Sequence, residues 1–155
     1  KREISSDNFL NELKLGVIVP YELSMKLVNL FSKTLSSIVN IGSIYGTVVP
    51  NSKLYKAGLT KSPINYGVTK AALIQLTKEL AVRLANKHVR VNCVAFGGVE
   101  GRVKNDFKKR YANLCPSGRM LKESEIAGPI DVILSNKTSG MTGHVMMVDG
   151  GWTLW

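Results

Sequence analysis

The chain has 155 residues, of which 45% are apolar, and it carries a formal net charge of +10 at pH 7. This length and composition suit one globular domain with a buried core, so residues 1–155 are expected to form a single domain. No apolar run is long enough to cross a bilayer and no signal peptide is recognisable, which predicts a soluble, cytoplasmic protein without a membrane partner.

The positive charge is scattered along the chain. The densest cluster of basic residues comprises Lys104, Lys108, Lys109 and Arg110. The sequence has no basic stripe interspersed with aromatic residues, of the kind that single-strand binding proteins use. Such a charge excess attracts anionic ligands, but we do not expect nucleic acid as a partner. The two cysteines lie in no CxxC motif or Cys/His cluster, so neither a disulfide framework nor a metal site is expected.

The first predicted elements are a long helix and a strand. Apolar residues recur at helical spacing from Asp7 to Phe31, which predicts a helix opened by Ser6 or Asp7 as its N-cap. Pro20 lies inside this stretch and predicts a kink or a division into two shorter helices. The apolar run Ser37–Ile44 then predicts a strand that is covered on both faces.

A loop and a second helix follow. Residues from Gly46 to Asn65 are mostly small and polar, which indicates a loop. Ser62 and Pro63 are typical of a helix start, with serine as the cap and proline at the first helical position. Leucines at helical spacing continue this helix to about Asn86.

The rest of the chain alternates strands and helices. We predict buried strands at Val89–Phe96 and His144–Val148, and helices at Val103–Asn113 and Glu123–Leu134, the latter less regular because it contains Pro129. Three buried strands separated by helices imply parallel βαβ units, and therefore an α/β fold.

Two residues near the start of the second predicted helix have a spacing that suits proton transfer. Tyr66 and Lys70 are four residues apart, so they share one helix face. An ammonium group beside a phenol favours the phenolate, which lets the tyrosine give or take a proton near neutral pH. Tyrosine and lysine at this spacing also occur in ordinary helices, so the pair by itself is a weak signal.

Other residues are predicted to meet this pair. Ser43 and the pair Gly97-Gly98 each follow a predicted strand, and ligands of parallel sheets sit beyond the carboxyl ends of the strands. We call that space the crevice. Each residue also has a structural explanation: Ser43 as a strand-end serine, Lys70 as a solvated lysine, and the glycines as a turn.

Four segments carry a distinctive set of motifs in chain order. They are Ile38-Val-Asn-Ile-Gly-Ser43-Ile-Tyr-Gly46, Tyr66-xxx-Lys70 with Ala71-Ala72-Leu73, Val89-Arg-Val-Asn-Cys-Val94 and Thr142-Gly-His-Val-Met-Met-Val-Asp-Gly-Gly151. In this order they resemble the short-chain dehydrogenase/reductase family, over essentially the whole chain.

The resemblance implies an oxidoreductase that transfers a hydride between NAD or NADP and a carbonyl or secondary alcohol. Tyr66 would be its general acid or base, Lys70 would hold the ribose of the nicotinamide, and Ser43 would bind the reacting oxygen of the substrate. These three residues form the predicted catalytic set. Tyr66, Lys70 and the backbone of Gly97, Gly98 and Val99 form the predicted cofactor site.

The resemblance leaves the family's amino-terminal, cofactor-binding half unmatched. The glycine-rich turn that receives the pyrophosphate does not occur in this sequence. We therefore expect a partial Rossmann-like, doubly wound parallel sheet that holds the last three strands with their helices. A missing amino-terminal half or a homo-oligomer would restore the burial that such a piece lacks.

The matched part also departs from the family pattern. Gly16 or a neighbour stands where the family has asparagine, and Phe96 replaces a proline before the glycine pair. These departures keep a second hypothesis open, in which the chain is a non-catalytic fragment or interaction module derived from such an enzyme.

Residues Asn51–Ser62 lengthen the interval between Ser43 and Tyr66, and we call them the insertion. Through Lys53, Lys56, Lys61 and Tyr55 the insertion either recognises an anionic or sugar-like substrate or forms a surface loop without contact. This stretch is similar to that of bacterial family members associated with surface-glycan or flagellin sugar modification, which indicates a sugar derivative as substrate.

Overall fold

The computed structural model describes residues 4–56, 62–101 and 103–155. The helices and strands are α1 (Ser6–Leu13), α2 (Val19–Leu30), β1 (Ser37–Ser43), α3 (Ile64–Arg83), β2 (Arg90–Phe96), α4 (Asn105–Ala112), α5 (Ala127–Leu134) and β3 (Val145–Val148). Every predicted strand is present and alternates with helices. The expected α/β architecture is therefore confirmed.

The three strands form one parallel sheet in the order β1-β2-β3. The register places Ser43 opposite Phe96, and Phe96 opposite Val148, so the carboxyl ends of the strands are level. Within the described residues β1 pairs with β2 alone, and its other edge has no strand beside it. The sheet is thus the expected three-stranded portion of a parallel α/β fold.

The predicted first helix has about the expected length but is divided into two α-helices. Its N-cap is Ser5, one residue before the predicted caps, because the extended Ser5 backbone lets its hydroxyl oxygen accept from the backbone N–H of Asn8 at 3.3 Å. A π-helical turn at Lys14–Ile18 joins α1 to α2. The predicted disturbance is therefore centred before Pro20, which sits at the second position of α2, where its missing N–H breaks no α-helical bond.

The start of α3 also differs from the prediction by one residue. Pro63 is the N-cap rather than the first helical residue, and the helix begins at Ile64 without a side-chain cap. The backbone N–H of Tyr66 instead bonds the carbonyl oxygen of Pro63 at 3.2 Å. The prediction of Ser62 as the cap is therefore wrong.

Several other boundaries shift inward. Helix α3 ends at Arg83 and a separate 3-10 turn covers Ala85–Lys87, so the predicted end at Asn86 merges two elements. The predicted helix Glu123–Leu134 divides into a 3-10 turn at Glu123–Glu125 and α5. Pro129 lies in the first turn of α5, where helix N–H groups have no intrahelical partner.

The core is built where α3 lies on the sheet. Val91 and Leu80 are at most 2% exposed and share one buried cluster, and a side-chain hydrogen bond crosses the same interface. The buried side-chain amide of Asn40 on β1 donates to the Thr77 hydroxyl oxygen on α3 at 2.9 Å. Buried polar groups gain little net energy but cost much when left unpaired, so this bond fixes α3 against β1.

Arg90, at the start of β2, ties the carboxyl end of α5 to the sheet. Its guanidinium donates to four backbone carbonyl oxygens at 3.1–3.4 Å, those of Ile133, Leu134, Ser135 and Met141. Helix carboxyl ends carry unpaired carbonyl groups and a partial negative charge. A guanidinium donates hydrogen bonds to those carbonyl groups and its positive charge interacts favourably with the helix end.

No described helix is long and apolar enough to cross a membrane. Among the described residues, His, Cys, Asp and Glu side chains form no cluster of three that could hold a metal ion. Cys93 and Cys115 are both free and buried.

Candidate active site

Ser43 is the last residue of β1, so it lies at the carboxyl edge of the sheet. It is 7% exposed, and its hydroxyl oxygen accepts a hydrogen bond from the backbone N–H of Tyr45 at 3.2 Å. The Ile44–Gly46 turn that supplies this N–H is a 3-10 turn capped by Ser43 itself. Because the oxygen accepts from the turn, the hydroxyl hydrogen is left to donate to a substrate oxygen.

Tyr66 and Lys70 lie on the first turns of α3, and both are half-buried. The ammonium nitrogen of Lys70 is 5.7 Å from the centroid of the Tyr66 ring. It also donates a hydrogen bond to the carbonyl oxygen of Ile41 in β1 at 2.9 Å. The predicted pair is therefore together on one helix face, with the lysine joined to the strand that carries Ser43.

The turn after Ser43 packs directly on α3. A Cβ atom at Gly46 would lie 2.8 Å from the carbonyl oxygen of Lys70, and a Cβ at Gly67 would lie 3.2 Å from the carbonyl oxygen of Tyr45. These are approaches that only glycine allows without displacement. The close approach brings the tip of β1 to the same junction as Tyr66 and Lys70.

The glycine pair after β2 lies at the same edge of the sheet, one residue beyond the partner of Ser43. The backbone N–H of Gly98 donates to the Tyr111 hydroxyl oxygen at 2.8 Å. A Cβ at Gly97 would lie 2.9 Å from the Cα atom of Asp149, and one at Gly98 would lie 2.6 Å from the Tyr111 ring. Close packing against the segments that contain Asp149 and Tyr111 therefore requires glycine at both positions.

Tyr111 itself is buried and stacks on Trp152, with ring centroids 4.2 Å apart. Burial raises the pKa of Tyr111 to about 12. Its phenol thus stays neutral and serves as a fixed support for the Gly98 backbone.

Val99 continues from the glycine pair into a single parallel bridge with Leu121. The bridge uses the carbonyl oxygen of Gly98 and the N–H of Glu100. Among the described residues, neither the N–H nor the carbonyl oxygen of Val99 has a hydrogen-bond partner. A donor and an acceptor of one backbone residue are therefore available beside the crevice.

Phe96, where the family has proline, is 8% exposed and ends β2 as its last paired residue. Its side chain packs with Val94, Leu121 and Ile133. The residue therefore belongs to the core below the glycine pair.

Two tyrosines at this junction received no individual role from the sequence. Tyr45 packs edge-on against the Tyr66 ring, with centroids 6.5 Å apart and ring planes at 87°. The Tyr45 hydroxyl lies 3.0 Å from the Tyr55 hydroxyl in the insertion. Burial, then the contact with Tyr55, raises the pKa of the Tyr45 phenol above its ordinary value. The position of Tyr45 two residues after Ser43 was the available signal.

The lysines of the insertion do not all act as the sequence suggested. The ammonium nitrogen of Lys56 lies 2.6 Å from a carboxylate oxygen of Asp106 on α4, so its charge is directed to that helix. Lys53 is exposed, and Lys61 lies outside the described residues. Residues 51–56 are anchored by Leu54, which is fully buried in the cluster that contains Tyr111. Whether the insertion contacts a substrate stays a prediction.

A separate apolar groove of about 480 Å³ runs between the long helix and the outer edge of β1. Leu15, Leu23 and Leu27 line the helix side, and Ile38 and Lys70 line the other. The groove therefore follows the strand edge that has no described partner.

The arrangement joins a phenol, an ammonium group and a strand-end hydroxyl at one junction. A phenol beside an ammonium can transfer a proton, and a hydroxyl donor can stabilise negative charge on an oxygen. The Val99 backbone groups add a donor and an acceptor at the same edge. Such a set suits proton transfer to or from an oxygen.

Comparisons with known proteins identify the family of this chain. A family model described as enoyl-(acyl carrier protein) reductase matches residues 2–153. Post-translational flagellin modification protein A of Campylobacter coli is 34% identical over 132 residues, which cover 84% of this chain and 52% of that protein. Galactitol 2-dehydrogenase (L-tagatose-forming) of Cereibacter sphaeroides is 34% identical over 125 residues, which cover 77% of this chain and 46% of that protein.

A solved structure extends the match to three dimensions. The crystal structure of a short-chain dehydrogenase from Leptospira borgpetersenii with bound NAD+ has a TM-score of 0.88 and 30% identity, covering 97% of this chain and 58% of that one. The chain spans about half the length of the curated relatives it matches. Together, the family model and these relatives show that the chain belongs to the short-chain dehydrogenase/reductase family.

Proposed function

We propose that the chain is the catalytic part of an NAD(P)-dependent oxidoreductase acting on a carbonyl or a secondary alcohol. The observation that carries the proposal is the junction of β1 with α3, where Tyr66 and Lys70 lie beside the turn that Ser43 caps. Family membership supports the reaction class.

In this proposal Ser43 donates its hydroxyl hydrogen to the substrate oxygen. Tyr66 gives its phenolic proton to that oxygen as a hydride reaches the carbonyl carbon, and it accepts the proton in the reverse direction. The Lys70 ammonium stabilises the phenolate that remains. The hydrogen bond from Lys70 to Ile41 holds the ammonium near the Tyr66 ring.

The nicotinamide end of an NAD or NADP cofactor fits the residues present. The carboxamide would meet the unpaired backbone groups of Val99, which follow Gly97 and Gly98, and Lys70 would bind the ribose hydroxyls together with Tyr66. When bound, the cofactor supplies the hydride. A relative with bound NAD+ supports the class of cofactor and does not choose between NAD and NADP.

The adenosine end would need an amino-terminal half, supplied by the same polypeptide or by another chain. The unpaired edge of β1 and the apolar groove beside it support this proposal, because a parallel strand with its helix would cover both. A homo-oligomer and a cytoplasmic location stay predictions.

Two relatives bear on the substrate. One is named for flagellin modification and the other for the oxidation of galactitol to L-tagatose. We therefore propose a hydroxylated small molecule, such as a sugar derivative.

The experiment compares Tyr66→Phe with the matched variant Tyr21→Phe, since Tyr21 is an exposed tyrosine on α2. The protein is assayed together with its amino-terminal half, for NAD(P)H oxidation with a panel of ketones and keto-sugars. Tyr66→Phe is expected to lose turnover by at least about 100-fold, while NADH binding, followed by cofactor fluorescence, changes little. Unaltered turnover in Tyr66→Phe would refute the role.

The alternative, a non-catalytic interaction module, keeps one observation in its favour. If Gly16 rather than a neighbour is the family's asparagine position, a side chain there would collide with the Thr69 methyl group. Saturable NADH binding accompanied by turnover is incompatible with this alternative.

A further inference from the structure

The two hydroxyl groups of Tyr45 and Tyr55 form a pair at the site. They are 3.0 Å apart, and both side chains are half-buried. Tyr45 is also joined to the catalytic residues, through its backbone N–H to the Ser43 hydroxyl oxygen and through its ring to Tyr66. Tyr45, which carries one hydroxyl of the pair, therefore contacts both Ser43 and Tyr66, the residues proposed to act on the reacting oxygen.

Tyr55 is fixed in place by helix α4. Its ring lies 5.7 Å from the Phe107 ring, centroid to centroid. The preceding residue, Leu54, is fully buried, and its carbonyl oxygen accepts from the Arg110 guanidinium at 2.8 Å. Residues 54 and 55 of the insertion are thus held against α4, and the Tyr55 hydroxyl is placed next to that of Tyr45. A hydroxyl held in this way can orient a substrate.

The chemistry of the pair favours a neutral hydroxylated ligand. A phenol hydroxyl has one hydrogen and two lone pairs, so the bond shared by Tyr45 and Tyr55 leaves one hydrogen and several lone pairs available. Among the described residues neither hydroxyl has another hydrogen-bond partner. A ligand hydroxyl can use both a donor and an acceptor, whereas a carboxylate or phosphate can use only the donor.

The charges nearby point the same way. Lys56, the charged neighbour of Tyr55, is paired with Asp106, which also binds Arg110 at 2.7 Å. The Lys56 ammonium is thus committed to α4, and the pair itself presents uncharged groups to a ligand.

We propose that Tyr45 and Tyr55 determine specificity by binding a substrate hydroxyl on the carbon next to the reacting carbon, so that vicinal diols and α-hydroxy ketones are preferred over simple alcohols and ketones. The inference rests on the proposed function, and it assigns substrate recognition to Tyr55 of the insertion together with Tyr45. In the oxidation, the reacting C–H carbon loses a hydride to NAD(P)+ and its hydroxyl proton goes to Tyr66. The neighbouring hydroxyl stays bound and unchanged.

The test uses the protein with its amino-terminal half and two probes, cis-1,2-cyclohexanediol and cyclohexanol. They differ by one hydroxyl group, and both are oxidised at a secondary carbon. The measured quantity is the ratio of kcat/KM for the diol to kcat/KM for the monool. We expect a ratio well above one in the parent protein and a fall of about tenfold in Tyr55→Phe, expressed mainly in KM, since one hydrogen bond is lost.

Tyr45→Phe should lower the same ratio, and Tyr21→Phe, which removes an exposed hydroxyl from α2, should leave it at the parent value. Simple loosening of the site would slow both probes and preserve the ratio, and that result would overturn the inference. So would a parent ratio near one, or no oxidation of the diol. The proposed function is judged separately, by NADH binding and by Tyr66→Phe on carbonyl substrates.

Discussion

The ammonium nitrogen of Lys70 donates a hydrogen bond to the carbonyl oxygen of Ile41, with the two atoms 2.9 Å apart. The bond joins helix α3 to the outer edge of β1, two residues before Ser43. The lysine is therefore held in position by the strand, and it lies 5.7 Å from the centre of the Tyr66 ring.

Replacing Lys70 with methionine should separate catalysis from stability. We expect kcat/KM to fall by at least about 100-fold because the phenolate of Tyr66 loses its cation. The free energy of unfolding should change by less than about 1 kcal/mol, since the bond is solvent-exposed. Lys78→Met, on an exposed position of the same helix, should change neither quantity. Full activity in Lys70→Met would contradict the assignment.

Gly16 and Thr69 should be energetically coupled. A Cβ at Gly16 would collide with the Thr69 methyl group, so Gly16→Ala should destabilise the protein by about 1–3 kcal/mol despite the better helix propensity of alanine. In Gly16→Ala/Thr69→Ala the collision is removed, and the double variant should be at least about 1 kcal/mol more stable than additivity predicts.

The measurement is urea unfolding of the four proteins in the cycle. Gly140→Ala is the control, because, apart from its chain neighbours, no atom lies within 4 Å of a Cβ at that position. It should be neutral or stabilising by up to about 1 kcal/mol. Strict additivity of Gly16→Ala and Thr69→Ala would show that the helices separate easily at this contact.

Arg90 should contribute strongly to stability through the carbonyl groups it binds. Arg90→Met keeps much of the apolar stem but leaves the carbonyl oxygens at the end of α5 without their donor. We expect a loss of about 3 kcal/mol in the free energy of unfolding. Arg83→Met removes an exposed arginine whose partner is Glu79 in the same helix, and it should cost less than about 0.5 kcal/mol. Similar losses in the two variants would contradict the role of Arg90.

Acid should release the insertion from α4. Hydrogen bonds from Lys56, then Arg110, lower the pKa of Asp106 to about 2, below its value of about 3.9 in an unfolded chain. A depressed pKa stabilises the folded contact above about pH 4, and this contribution is lost as pH falls toward 2. Amide protection factors of residues 52–56 should therefore decrease over that range.

Asp106→Asn should lower the amide protection of residues 52–56 already at neutral pH, and that protection should no longer decrease as the pH falls. Glu79→Gln, which breaks an ion pair on α3, is the control and should leave residues 52–56 protected. If protection in Asp106→Asn equals that of the parent, the buried Leu54 alone holds the insertion and the ion pairs do not.

The sequence by itself determined the features that depend on local spacing. The pairing of Tyr66 with Lys70 follows from four residues on a helix, and the strands follow from short apolar runs between polar segments. Element ends shifted by one residue at Ser5 and Pro63 and by three at the end of α3, because caps depend on backbone angles that neighbouring contacts select.

Tertiary structure alone decided which distant residues meet. Tyr45 binds Tyr55 across the insertion, and Lys56 turns to Asp106 rather than to the crevice. Arg90 reaches carbonyl groups more than forty residues away. No local pattern encodes these contacts, since each depends on how helices and loops pack on the sheet, and packing depends on the shape of the whole core.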